Sequence, residues 1–388
     1  MTTHVFIVDS TTFKIHLENL FAGTGAKDYF IDFNNNSESK LHHSPENMLA
    51  GMMADAGRIR KGDLILFYLQ QNFQDKIVEG KFYGTFKAKE DSSFLDNNSD
   101  SQYLKKELNK SLTFRILIEP YKIYSKGVTE WEALDEIKNI QSPNQMLWSL
   151  IYRKLKGNRG NTMITIYESE RLCQLIRNKN GKQIMQCKDK VLSFDLLEQK
   201  IICLNSKEKK YQGQKEEINL LPRLIAKLEQ NKAFEPHLQS YIVKNIGFNI
   251  NKTLDKAIVP KGDIEWIGNE IRCGVGMQSI DVVLSVIMDG QKVCIPIELK
   301  AVEAKSENVK QIQRYIDWIE QYYIPNRQSD IQPIIVSKKV DNKSTTQYKN
   351  TIDSFKEFNK QNNKRCNKLK YIEFDIQNND LVFDNINY

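Results

Sequence analysis

Cysteine pairs at metal-ligand spacing are missing from this chain. Cys173, Cys187, Cys203, Cys273, Cys294 and Cys366 stand apart without a CxxC, and among the histidines only His42 and His43 are neighbours. That pattern argues against a structural zinc site. No apolar segment reaches membrane-spanning length, and the start MTTHVFIVDS has neither the basic beginning nor the long apolar run of a secretion signal. The expectation is a cytoplasmic protein with reduced thiols and no membrane partner. Internal repeats are lacking too; NKQNNKRCNK near the C-terminus is merely rich in Asn and Lys.

What is there is ordinary for a folded chain: 388 residues, 40% hydrophobic and 27% charged, enough for two or three domains. Lysine and arginine (56) exceed the acids (49) by seven, which suits a polyanionic partner, although the excess is spread along the chain.

The first part, residues 1–178, reads as a mixed β-rich domain. It opens on the strand HVFIV (His4 to Val8), followed by a helix that Ser44 can cap, Pro45 can start and Gly57 can end. LILFYLQ, GKFYGTFKA and LTFRILIEPYKIY read as strands, DSSFLDNNSDSQ as a loop, and YESERLCQLIR as a closing helix after MITIY. Residues 179–217 turn polar and basic and are expected to be a linker. Residues 218–388 alternate helical and strand patterns, which gives an α/β second domain.

Its best-patterned stretch is IDVVLSVIMDGQKVCIPIELK, Ile280 to Lys300. Asp289-Gly290 is a strong two-residue hairpin signal, and with that turn Asp281 falls directly opposite Glu298. Counting outward, the pair sits at a non-hydrogen-bonded position, with Cα atoms about 4.5 Å apart, and two carboxylates that close repel. Ile280, Val282, Leu284 and Val286 with Val293, Ile295, Ile297 and Leu299 form an apolar face; Asp281, Glu298 and Lys300 lie on the other, away from the core. A Mg²⁺ or Mn²⁺ ion between the acids would let them stay, and Lys300 could then orient a water or offset phosphate charge. Pro296 falls at a non-hydrogen-bonded position of the same hairpin. The plainer alternative is that the acids mark strand ends dipping into solvent, with Lys300 as a surface ion-pair partner.

Asp281, then Glu298-Leu299-Lys300, resembles the PD-(D/E)XK nuclease superfamily. With Glu235 before it and Gln311-Ile312-Gln313-Arg314-Tyr315 after it, the stretch from Phe234 to Trp318 resembles the RecB-like domain of NucS-type endonucleases. That resemblance implies that Asp281 and Glu298 bind a divalent metal, that Lys300 assists the nucleophile, that Glu235 adds another acid and metal ligand, and that Gln311 lies beside the site. Gln311 and Tyr315 share a helix face by their spacing, next to the stripe Ile312, Ile316, Ile319. Plainer readings are a solvated glutamine for Gln311, a core tyrosine for Tyr315 and a first-turn helix acid for Glu235.

HVFIVDSTTF, the capped helix, RIRKGDLILFYLQ, GKFYGTFKA and the later MLWSLIYRKLKGNRGNTMITIYESERLCQLI resemble the PUA-like superfamily, in particular EVE and YTH domains; where EVE domains usually carry Ser-Glu-Pro this chain has Val8-Asp9-Ser10. The resemblance implies nucleic-acid binding, often with a modified base in an aromatic-walled pocket. Stacking on a flipped base needs aromatic faces, for which Tyr29, Phe30, Tyr68 and Trp148 are candidates, with Asp9 or Ser10 reading the edge. The plainer reading of each is a core residue, since aromatic residues dominate cores. Arg153, Lys154, Lys156 and Arg159, with Gly157 and Gly160 beside them, are candidate phosphate contacts.

The expected fold is therefore α/β and α+β in two domains: a PUA-like β-barrel with helices, then a PD-(D/E)XK mixed sheet flanked by helices. The expected function is Mg²⁺-dependent cleavage of double-stranded DNA by a restriction-type endonuclease directed at modified DNA, working as a homodimer because two strands need two active sites. The alternatives are a conventional restriction enzyme for an unmodified site, a NucS-like repair endonuclease and a non-catalytic nucleic-acid binder.

Overall fold

A computed structural model describes residues 1–25, 31, 46–98, 100–147, 150, 159–187, 190–207, 209–273, 278–326 and 329–388. These fall into two compact units, the first ending at Ile218 and the second beginning at Asn219.

The first unit opens with β1 (Thr3–Val8), α1 (Ser10–Asn19), β2 (Phe21–Thr24) and α2 (Glu46–Gly57). Then come β3 (Leu64–Leu69), β4 (Lys81–Ala88), β5 (Phe94–Leu95), β6 (Phe114–Pro120), β7 (Val128–Thr129), β8 (Asn161–Ile164) and α3 (Ile166–Lys179). Last are β9 (Val191–Asp195), β10 (Lys200–Leu204) and β11 (Glu216–Glu217). The main sheet runs β11-β5-β6-β4-β3-β1-β8, with β2 on β6 and β7 on β4. β1 pairs β3 in parallel and β8 in antiparallel. The sheet curls, helped by a register break between Ile65 and Phe67 opposite the part of β4 that holds Gly84 at φ 139°. Among the described residues the expected β-barrel is a curled sheet whose end strands, β11 and β8, are not paired with each other.

Alternation along β1 and β3 explains the two cores. Phe6, Ile65 and Phe67 pack with Phe13 of α1 on one face, while Val5, Leu66 and Tyr68 pack with Leu172 and Ile176 of α3 on the other. Residues 179–217 are not a bare linker. β9 and β10 form an antiparallel hairpin there, and Leu192, Phe194 and Ile201 enter the first core. Cys187 and Cys203 stand side by side with Cα atoms 5.8 Å apart, within disulfide reach, a pairing that the expectation of reduced thiols did not include. Within the expected loop DSSFLDNNSDSQ, Phe94 and Leu95 form a short buried strand.

The second unit comprises α4 (Leu221–Glu229), α5 (Glu235–Asn245), α6 (Lys252–Ile258), β12 (Gly262–Arg272), β13 (Ser279–Met288), β14 (Gln291–Lys300) and α7 (Asn308–Trp318). It continues with β15 (Asp330–Ile331), β16 (Ile334–Lys338), α8 (Thr346–Gln361), β17 (Lys370–Gln377) and β18 (Asp380–Ile386). The sheet order is β12-β13-β14-β16-β17-β18, with β15 beside β14. The step from β14 through β16 to β17 is parallel, and the flanking pairs are antiparallel.

The β13–β14 hairpin has the expected register, from Met288 opposite Gln291 out to Val282 opposite Ile297. Its turn residues both take positive φ, 49° at Asp289 and 79° at Gly290, the conformation in which a two-residue turn matches the strand twist. Pro296 falls where one neighbouring ladder stops (Cys294 beside Ile331) and the next starts (Ile297 beside Ile334), so its missing N–H costs no ladder bond. One expectation is corrected: the face carrying Asp281 and Glu298 is not turned away from packing. Val283, Cys294 and Glu298 on it are all buried, because α7 covers it. The opposite face is covered by α5, where Phe234 meets Phe374 edge-on with ring centroids 6.0 Å apart.

Candidate active site

The acids meet where the hairpin and the parallel strands end together. Asp281 lies near the start of β13, Glu298 and Lys300 close β14, and Lys300 is paired across the ladder with Ser337 of β16. Crevices outside the carboxyl ends of parallel strands are the usual ligand sites of open α/β sheets. Glu235 is brought in from a different direction, as the first residue of α5 ahead of Pro236, which suits the helix start.

The contacts are close. Lys300 Nζ lies 2.5 Å from Glu298 Oε1 and 3.9 Å from Glu235 Oε1. The Tyr315 hydroxyl donates to Glu298 Oε2 at 2.5 Å and has the Ser279 carbonyl at 3.1 Å. Asp281 Oδ2 accepts from Leu299 N at 2.8 Å. The side-chain amide of Gln239 donates to the Asp281 carbonyl at 2.8 Å, fixing the backbone that carries the acid. Gln311, one turn before Tyr315, is partly buried and accepts from Asn308 Nδ2 at 3.3 Å.

Glu298 is 1% exposed, so these charges interact with little water between them. Burial, and after it the Glu298 charge, raise Asp281 well above the usual carboxylate range against the bond from Leu299. Burial likewise raises Glu235, opposed by Lys300. Burial alone would lower Lys300, but Glu298 and then Glu235 hold it above its ordinary value, so it stays an ammonium. Burial and Glu298 push Tyr315 up, which keeps its proton available to donate. Burial also pushes the nearby Cys273 thiol up to about 12, which rules it out as a thiolate nucleophile at neutral pH.

When ionised, three carboxylates face one ammonium, an excess of two negative charges that matches a divalent cation. The donor set is hard oxygen, and Mg²⁺ is commonly held by only one or two carboxylates together with water and substrate phosphate. The Asp281–Glu298 pair therefore fits such an ion. Among the described residues no group of three or more acid, histidine or cysteine side chains is placed to hold a metal. Glu235, expected as a metal ligand, lies 3.9 Å from Lys300 Nζ.

Of the residues expected to read a base, Asp9, Ser10 and Tyr68 are among the described ones. Asp9 caps α1 by accepting from Thr12 N at 2.7 Å and pairs with Lys110. Although burial favours its neutral form, these bonds hold Asp9 below the usual range. Ser10 donates to Asp75 Oδ2 at 2.5 Å. Tyr68 is core, its ring 5.0 Å from that of Phe82. Arg159 pairs with Asp55 at 3.4 Å and lies over Gly51. Tyr29, Phe30, Trp148, Arg153, Lys154 and Lys156 lie outside the described residues, as do Ser44, Pro45 and Gly157.

Gln239 was not expected at the site, although its place four residues after Glu235, on the same helix face, was a usable signal. No family model and no curated protein matches the chain. Among solved structures it is similar to human THYN1 in complex with 5-methylcytosine-containing DNA, at 12% identity and a TM-score of 0.26, over 45% of this chain and 97% of that one. No helix among the described residues is long and apolar enough to cross a membrane.

Proposed function

We propose that this chain is a Mg²⁺-dependent DNA endonuclease of the restriction type, with the second unit hydrolysing phosphodiester bonds and the first contacting the DNA. The observation that carries the reading is the convergence of Asp281, Glu298 and Lys300 at the end of one hairpin, with Lys300 bridging towards Glu235. Structural ion pairs seldom place two partly or fully buried carboxylates side by side at a cost in pKa, whereas catalytic sites do.

Asp281 and Glu298 would hold the ion, which when bound supplies Lewis-acid stabilisation of a phosphoryl oxygen and a more acidic water. Tyr315 keeps the Glu298 carboxylate in one orientation, and Leu299 N does the same for Asp281. Lys300 then offers a charged donor to a water or a phosphate oxygen. Dependence on a modified base is the finer reading, supported by the PUA-like pattern of the first unit.

Asp281→Ala and Lys300→Ala are each expected to abolish Mg²⁺-dependent cleavage of plasmid while binding in EDTA stays near wild type. Full cleavage by either variant would refute the assignment. Modified and unmodified plasmid, each with Mg²⁺ or EDTA, separate the remaining readings: equal cutting of both removes the modification requirement, and no cutting of either leaves a binding protein.

A further inference from the structure

The turn after β6 projects Tyr121, 44% exposed, between two lysines. Lys87 Nζ lies 4.1 Å from its ring centroid and Lys122 Nζ 5.0 Å. The ring stands in the wall of two cavities of the first unit, of about 560 and 540 Å³. Leu17, Leu20, Ile123, Met185 and Leu192 give the larger one an apolar lining. Lys190 and Lys207 line it as well, and Lys122, Arg177 and Lys182 line the other. None of these six cations makes an ion pair with a carboxylate among the described residues, while Glu18 and Glu170 are the cavities' acids and Glu119 faces Lys87 across the ladder.

We propose that this ridge is a binding site for an unpaired nucleotide of a nucleic-acid strand, its base lodged in the larger cavity against Tyr121 and its flanking phosphates on the surrounding lysines and arginine. The charge sign selects a polyanion. The apolar lining selects one with a flat, weakly polar group beside its charges, which a run of acidic residues lacks. A cavity of this size lies within the range of about 300–1,000 Å³ typical for small-ligand sites. Aromatic faces combined with unpaired cations are the recurring means of holding single strands. Glu18 is the one carboxylate lining the larger cavity and is positioned by Ser193 Oγ at 2.6 Å, which gives a base edge an acceptor for its N–H groups. The proposal deepens the reading of the first unit as a nucleic-acid binder and uses nothing from the Asp281–Glu298 pair.

The test is fluorescence anisotropy of a labelled single-stranded oligonucleotide with the full chain in EDTA, so that cleavage plays no part. Tyr121→Ala is expected to weaken binding about tenfold and Tyr121→Phe to leave it near wild type, as stacking requires. Lys190→Glu with Lys207→Glu should weaken binding further and flatten its salt dependence. Unchanged affinity in Tyr121→Ala, with thermal unfolding also unchanged, overturns the proposal. So does a preference for phosphatidylserine vesicles or polyglutamate over the oligonucleotide. Loss of cleavage in Asp281→Ala with binding intact leaves this site standing, and failure of the Tyr121 variants leaves the nuclease reading standing.

Discussion

Removing one oxygen at Tyr315 tests whether Glu298 is held as the structure has it. Tyr315→Phe keeps the buried ring and deletes the hydroxyl that donates to Glu298 Oε2 at 2.5 Å. Lys300 remains on the other carboxylate oxygen, so the charge keeps its partner but loses its fixed orientation. A hydrogen bond to a charged group contributes about 1.5–3 kcal/mol, and leaving a buried acceptor short costs a similar amount. For a unit of this size each kcal/mol moves Tm by roughly 2–4 °C. Calorimetry in EDTA should therefore show the transition of the second unit about 3–12 °C lower. Groups that orient metal ligands typically change metal affinity or activity by about 10–100-fold. Mg²⁺-dependent cleavage should fall within that range, with a rise in the Mg²⁺ concentration needed for half-maximal rate. An unchanged Tm together with unchanged cleavage would show that the contact does not hold the carboxylate and would refute this account of the site.

Three further outcomes follow from burial and charge. His16 is wholly buried beside Phe21 and Phe67, with neither ring nitrogen bonded among the described residues, and burial, then Arg115 and Lys110, push its pKa down from 6.5 to about 3. The unfolded chain takes up this proton first, so the stability is complete above pH 6.5 and lost as pH falls towards 3, at up to about 1.4 kcal/mol per pH unit; His16→Phe should flatten that slope in acid titrations, and equal slopes would contradict it. Asp281 has the opposite sign: its raised pKa means that stability falls as pH rises above the usual carboxylate range, so Mg²⁺ should raise Tm more at pH 8 than at pH 5, and not in Asp281→Asn. A Cys187–Cys203 bridge would span 16 residues, for which chain entropy gives about 3 kcal/mol, so Cys187→Ser should lower the first unit's stability by that order and mass spectrometry should find the bond in the oxidised protein.

The site was legible where local rules dominate. Asp289-Gly290 demands a two-residue turn, and the turn alone fixes which acids face each other. The covering of both hairpin faces was not legible, because the packing of α7 on the Glu298 side depends on contacts with Tyr315 and Tyr323 from a later segment. The β9–β10 hairpin was missed because its turn, Leu196 to Gln199, lacks a glycine or asparagine, and a polar composition hid the buried Leu192, Phe194 and Ile201. The Cys187–Cys203 pairing was invisible because residues 16 apart say nothing of proximity until that hairpin forms. For Asp9 and Tyr68 residue type left pocket and core both open; the helix cap at Asp9 and the packing of Tyr68 depend on neighbours that the local sequence does not fix.

The tight bend at Asp289-Gly290 lies eight residues from Glu298, roughly 25 Å along an extended strand. Because neighbouring side chains point to opposite faces, a shift of one position cannot be partial. Inserting a single residue at that bend would rotate Ile297 or Leu299 into the place of the acid and carry Glu298 into the apolar layer under α5. The side on which Glu298 stands is thus phased by two residues at the far end of its strand.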